Sequence, residues 1–380
     1  VSQLDDESLT VLVARARMNA EANPVRFSNP GLTEPTRYPD IEAFDSATAH
    51  YPAERRERAV EMVCKLAESK GLSAAGAFST GSGGVVVANS KGLFAFFTST
   101  FSDFETLVTS EDSSGYAHAS AWRVGDLPVE ALGREAIEKA ALSRNPQPVE
   151  VGEYPVVVDP YVTEDILQML NVHGMSALDV NEERSWMNEL IGKQALDEKV
   201  SIWDDGLNLA GLPMPFDFEG TPKQRVDIVR HGMVLGPVYD LETASRMGKT
   251  STGHAMPLTF RGMGPLATNL FMGEGDSTLD EMIQSTERGL YITRVWYTRL
   301  VDPHGCLVSG MTRDGVFMIK NGQIAYPVKN LYFTQSYVES LANVEMISKE
   351  SRLLGSEFGG IALRVPALKF RKFNFTGTVN

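Results

Sequence analysis

The segment Gly315-Val316-Phe317-Met318-Ile319-Lys320-Asn321-Gly322-Gln323-Ile324-Ala325-Tyr326 carries the strongest hairpin signal in the chain. Asn-Gly suits a two-residue type I′ turn, whose central residues both take positive φ. The runs on either side, Gly315 to Ile319 and Gln323 to Tyr326, read as paired strands. Outward from it, further strands are expected at Pro155 to Val158, Lys199 to Trp203 (closed by Asp204-Asp205-Gly206) and Leu290 to Trp296. Gln224 to Arg230 and Met233 to Val238 form a hairpin across His231-Gly232. In the first half, Val85 to Asn89 and Leu93 to Phe97 flank the turn Ser90-Lys91-Gly92, and Phe104 to Thr109 and Ala117 to Val124 continue the pattern.

Helical periodicity marks Ser8 to Ala22 (stopped by Asn23-Pro24), Ala53 to Lys70 (ended by Gly71), Pro128 to Ser143, a run after Asp159-Pro160 through about Asn171, and Thr278 to Ser285. Phe27 to Ser46 reads as loop. Strands grouped away from helices indicate an α+β fold of helices plus antiparallel sheets, not a doubly wound α/β sheet. Asn145-Pro146-Gln147-Pro148 reads as a linker. It divides the chain into residues 1–152, an N-terminal α+β domain, and residues 153–380, a C-terminal domain rich in antiparallel strands.

Composition narrows the function classes. The 380 residues carry 35 Lys+Arg against 49 Asp+Glu, a net charge of −14. Phosphate binding rests on an excess of cations, so direct nucleic-acid binding is disfavoured. Two cysteines, Cys64 and Cys306, cannot make a disulfide scaffold, and they suggest a reducing, cytoplasmic setting. No apolar run approaches the roughly 20 residues of a membrane span. The acidic start, Val1 to Glu7, is unlike a signal peptide, and the absent Met points to processing or truncation.

The short motifs are weak. Ser79-Thr80-Gly81-Ser82-Gly83-Gly84 resembles a phosphate cradle, but a strand follows it rather than a helix, so it reads as a loop before a hairpin. Gly248-Lys249-Thr250 looks like the end of a Walker A loop, yet Thr243 stands where that motif needs glycine. Asp204-Asp205-Gly206 and Arg313-Asp314-Gly315 sit where turns are expected. Lys369, Arg371 and Lys372, alternating with Phe370, Phe373 and Phe375, read as a solvated face opposite a buried one in a terminal strand. No two of the six histidines are three or four residues apart, which removes a helical pair of metal ligands. His304-Gly305-Cys306 reads as a turn, although it could supply two ligands.

The second half resembles the TldD/PmbA family, once called modulators of DNA gyrase and linked to peptide-processing zinc metalloproteases. The matching residues run in order from Asp204-Asp205-Gly206 and Asp217-Phe218-Glu219-Gly220-Thr221-Pro222-Lys223-Gln224 through Ser251-Thr252-Gly253, Thr268-Asn269 and Val301-Asp302-Pro303. They continue at Pro327-Val328-Lys329-Asn330 and Pro366-Ala367-Leu368-Lys369, and end at Phe373-Asn374-Phe375-Thr376-Gly377. The first half matches more loosely, and its opening strands are expected to be missing.

The resemblance implies where a zinc site would lie. TldD-like members carry His-Glu-x-x-x-His on the helix after the first strand of this half, completed by a Cys near the C-terminus. Here Gln168 replaces the first His, Met169 replaces the Glu, and only His173 remains; the segment Ser351 to Glu357 offers no Cys. The resemblance is therefore to the PmbA branch, also called TldE, whose members lack the zinc motif. It implies a non-catalytic subunit of a heterodimeric metalloprotease acting on unfolded peptides. No catalytic, cofactor-binding or metal-ligating residue is expected in this chain, and the zinc is expected in a TldD-like partner. Two other readings stay open: a self-sufficient homodimer with a displaced site built from His173, His304 and Cys306, and a regulatory protein that binds DNA gyrase.

Overall fold

The computed structural model describes residues 3–22, 30–356 and 360–379; the helix stop at Asn23-Pro24, and Glu357, lie outside them. The first part comprises α1 (Asp6–Ala22), α2 (Ser46–Ala49), α3 (Ala53–Glu68), the strands β1 (Ser73–Ala88), β2 (Phe94–Thr109) and β3 (Ser114–Ala121), and α4 (Val129–Leu142). The three strands form an antiparallel meander in the order β1-β2-β3. α3 and α4 cover one face of it, burying Val63, Ala67, Leu132, Ala136 and Ile137 against Phe104 and Ala117. Packing of an amphipathic face, more than propensity, holds such helices in place.

One expectation fails here. Ser79 to Gly84 is not a loop: it lies within β1 and pairs in register with β2 from Ser79↔Asp103 to Gly84↔Thr98. Glycine has weak strand propensity, but cross-strand packing overrides it. The Phe101 ring lies over Gly81, so close that a Cβ there would stand 2.8 Å from it.

The second part runs β4 (Gly152–Val158), α5 (Pro160–Val172), α6 (Ala177–Asn181), β5 (Ile202–Asp205), β6 (Arg225–Arg230), β7 (Met233–Val234), α7 (Leu241–Met247), β8 (Asn269–Met272), α8 (Leu279–Gln284), β9 (Arg288–Asp302), β10 (Leu307–Lys320), β11 (Gln323–Pro327), β12 (Leu331–Ser336), α9 (Tyr337–Ala342), β13 (Val344–Gly355) and β14 (Ala362–Thr378). These strands form one sheet, mostly antiparallel; the two exceptions among the described residues are the parallel pairs β4–β9 and β8–β14. β9, β4, β14, β12 and β10 close into a ring, because β12 pairs with both β10 and β14. Phe333, Phe370, Phe373 and Phe375 are buried in the large core, as are Ile166, Leu167 and Leu170 of α5.

The Asn-Gly hairpin forms as expected, with φ of 50° at Asn321 and 73° at Gly322. Its first strand is longer than the sequence suggests. Arg313-Asp314-Gly315 is not a turn but a bulge within β10, where the register shifts against β9. Asp314 takes φ 59° there, and its carbonyl accepts a 2.8 Å bond from the Thr293 hydroxyl. Asp204 and Asp205 likewise end β5 rather than form a turn. Lys369, expected on a solvated face, is 2% exposed; its ammonium donates to the Ser285 carbonyl at 3.1 Å and meets Glu345 at 3.2 Å.

Candidate functional site

α5 begins at a buried ionic network that ties it to the first part. Lys139 on α4 lies 2.7 Å from Glu135 and 2.6 Å from Asp159, the residue just before α5. Arg352 on β13 meets Glu135 at 2.8 Å, and the Tyr291 hydroxyl donates to Asp159 at 2.6 Å. Burial alone would raise the Glu135 carboxyl; the charges of Lys139 and Arg352 outweigh it and hold the group at about 2. The Tyr161 hydroxyl accepts the His118 backbone N–H at 3.0 Å, fixing α5 against β3.

Along α5 half-buried residues of the next turns face a cavity of about 680 Å³. Gln168 and Met169 line one wall, and Leu354, Gly355 and Ser356 at the end of β13 line another. The structure thus brings together the two segments that the family resemblance relates to zinc binding. At the family's positions in these segments the donors are an amide, a thioether and a hydroxyl, although α5 also brings Glu164 and Asp165 to the cavity. Zinc sites are built from imidazole, thiolate and carboxylate, so the residues present at these positions do not fit the metal. Gln168 Oε1 is buried with no hydrogen-bond partner among the described residues.

His173, His304 and Cys306 are not assembled into a displaced site. His173 caps the C-terminus of α5, where burial first and the charge of Arg184 second lower its pKa. His304 is exposed on a turn, its Nδ1 3.0 Å from Asp302. Cys306 is buried, with its thiol pushed up to about 12 by burial and by Asp165, so it holds its proton at neutral pH. Among the described residues no three His, Cys, Asp or Glu side chains are placed to hold one ion.

Asp103 and His118 also line the cavity beside α5 and were missed by sequence reasoning. Asp103 on β2 accepts from Ser120 Oγ at 2.5 Å and meets His118 Nε2 at 2.9 Å. Burial would raise its carboxyl, but the bonds and charge of His118 lower it. The arrangement is not a nucleophilic triad. The Ser120 hydroxyl gives its proton to the carboxylate and accepts the Gly355 N–H at 2.8 Å, while His118 lies 3.5 Å away on the same carboxylate oxygen. The only sequence signal was the spacing of 118 and 120, which puts both side chains on one strand face.

A second cavity of about 870 Å³ adjoins the first, sharing Asp103, Gly355 and Ser356 with it. Its floor contains Lys223 and His254, beside the fully buried Asp204. Asp204 accepts the backbone N–H groups of Thr268 (2.8 Å) and Asn269 (2.7 Å) and bonds His254 Nε2 at 2.9 Å. Burial opposes its charge, but Lys223 and His254 prevail and hold it at about 2. His254 is kept toward its neutral form by burial. The sequence presented Asp204 as a turn residue and His254 as part of a polar loop, so their pairing across 50 positions was not visible.

Known proteins share this architecture. The C-terminal domain profile of the PmbA/TldA metallopeptidases matches residues 151–377, and their central domain profile matches residues 47–144. The TldD homologue of Buchnera aphidicola (Acyrthosiphon pisum), a metalloprotease, is 25% identical over 73% of this chain and 57% of its own length. The chain therefore spans little more than half of that relative. The metalloprotease PmbA of Escherichia coli O157:H7 is 24% identical over 88% of this chain and 75% of its own. The crystal structure of TldE from Thermococcus kodakarensis superposes with a TM-score of 0.86 at 19% identity, covering 99% of this chain and 86% of that one, and so shares its fold. With one profile covering more than half of its length, the chain belongs to the PmbA/TldA metallopeptidase family.

Proposed function

We propose that this chain is the TldE/PmbA-like subunit of a two-subunit metallopeptidase and contributes substrate-holding surface rather than the catalytic metal. The observation that carries the reading is the cavity lined by Gln168 and Met169 of α5 and by Leu354 to Ser356 at the end of β13. The place is the family's, but its residues are not zinc ligands and Met169 cannot accept a proton from water. The catalytic zinc, its water and the general base would come from a TldD-like partner in a cytoplasmic complex. This chain encloses an unfolded peptide in the cavity. Gln168, on the cavity wall, offers its side-chain amide to the peptide backbone.

The test is hydrolysis of a labelled unfolded peptide by this chain alone, by a TldD-like subunit alone, and by both at equal concentration. The mixture is expected to cleave, and this chain alone is not. Undiminished cleavage by the purified chain without a partner would overturn the proposal.

A further inference from the structure

We infer that the 870 Å³ cavity is a subsite for an apolar peptide segment, with Lys223 donating a hydrogen bond to one of the segment's backbone carbonyl oxygens. The inference rests on the peptide-handling role proposed above and specifies which residues that role prefers.

Three observations carry it. First, the walls are apolar and aromatic: Phe97, Phe101, Trp122, Met256, Phe260 and Leu266 all face the space. Its volume falls in the range of about 300–1,000 Å³ typical of ligand pockets, which combine such walls with a few placed polar groups. Phe101 and Phe260 are 45% and 50% exposed at the rim, an arrangement that leaves aromatic surface in water until something covers it.

Second, among the described residues the polar group at the floor has donors to spare. The Lys223 side chain is 3% exposed, and its ammonium carries three N–H donors. One goes to Thr268 Oγ1. Asp204 Oδ1, at 3.9 Å, balances the charge but is beyond hydrogen-bond distance, and that oxygen is already bonded to His254. The balance selects the ligand. Because the Asp204 carboxylate already neutralises Lys223, a free carboxylate would bring an uncompensated charge into a buried site. An amide carbonyl takes the spare donor at no such cost.

Third, the cavity adjoins the one beside α5, and Asp103, Gly355 and Ser356 line both. An extended chain lying past Gln168 and across these shared residues reaches the apolar space. The preferred substrate is a peptide with large apolar side chains on one side of the α5 cavity, not a free fatty acid or an anionic metabolite.

The experiment is calorimetric titration of the purified full chain, without zinc or partner, using N-acetyl-Phe-Leu-Phe-amide, N-acetyl-Ser-Asp-Ser-amide and the free-acid form of the first. Trp122 fluorescence gives a second readout, assigned with Trp122→Phe. The apolar amide is expected to bind and the polar one not. Phe101→Glu, at an exposed rim position, is expected to weaken binding roughly tenfold or more by losing aromatic burial and adding a charge. Lys223→Met is expected to weaken it as well, with a thermal melt reporting whether the variant folds. If it does not fold, the Phe101 variant and the amide-to-acid comparison still decide. Equal binding of the polar peptide, an unaffected Phe101→Glu, or tighter binding of the free acid would overturn the inference. Because the chain is tested alone, peptide binding without cleavage by any complex would sink the two-subunit peptidase reading and leave the subsite. Cleavage without such binding would do the reverse.

Discussion

Replacing Lys139 with methionine removes the buried cation that joins α4 to the start of α5. Its side chain is 10% exposed, between Glu135 at 2.7 Å and Asp159 at 2.6 Å. Methionine keeps most of the volume, so the loss is electrostatic. Removing one partner of a buried ion pair costs about 3–5 kcal/mol. Glu135 keeps Arg352 and Asp159 keeps the Tyr291 hydroxyl, which puts the expected loss near the lower figure, about 3 kcal/mol. The titration of Glu135 gives an independent scale. Its carboxyl is held at about 2 rather than 4.5, worth roughly 3 kcal/mol shared between Lys139 and Arg352. A carboxyl depressed in the folded state adds stability that is complete above its unfolded pKa and is lost as pH falls through the folded one. The native chain is therefore expected to lose this contribution between about pH 4.5 and 2, and the variant to show a flatter slope over that window. Urea unfolding followed by tryptophan fluorescence at pH 7 and pH 3.5 measures both effects. A loss below about 1 kcal/mol at pH 7, with the native pH slope retained, would falsify the claim that this cation anchors α5.

Asp204→Ala strands the buried Lys223 and leaves the Thr268 and Asn269 N–H groups without their acceptor, so it is expected to cost about 3–5 kcal/mol in denaturant unfolding. Glu219 moves the other way. Burial raises its carboxyl to about 7, so stability falls as pH rises from about 4.5 to 7. Glu219→Gln keeps an acceptor for the Leu241 N–H and is expected to raise stability at pH 8 by roughly 1–3 kcal/mol, with little change at pH 4, as thermal melts at both pH values would report. Restoring the family's residues by Gln168→His with Met169→Glu is expected to leave zinc well below one per chain by metal analysis. The Leu354 to Ser356 wall still offers no thiolate, and stoichiometric zinc in the double variant would contradict that account.

What could be read from the sequence was local or was carried by long-range spacing. Asn321-Gly322 specified its own turn, since the φ values it needs belong to those two residues. The helices α3, α4 and α5 followed from periodicity, and the family from motifs kept in order from Asp204 to Gly377. The failures share a cause, which is that the deciding partner lies far along the chain. Ser79 to Gly84 is a strand because β2 pairs with it, and Phe101 fills the space over Gly81. Asp204 is buried because His254, Lys223 and the 268–269 backbone surround it, and Lys369 because Ser285 and Glu345 receive its ammonium. Ring closure depends on β12 bridging β10 and β14, a fact that no window of residues contains. Positions 168 and 169 were legible through the resemblance, while Asp103, His118 and Ser120, without a motif, were not.

The central claim is that this chain's own residues at the family's zinc position do not bind the metal, and that catalysis needs a partner. Zinc content measured per chain, for the protein purified alone and co-expressed with a TldD-like subunit, tests it most directly. The account predicts zinc well below one per chain when alone and one zinc per heterodimer in the complex, removed by mutating the partner's ligands and not by changing His173. One tightly bound zinc per chain in the protein purified alone, with peptide cleavage that a chelator abolishes, would contradict it.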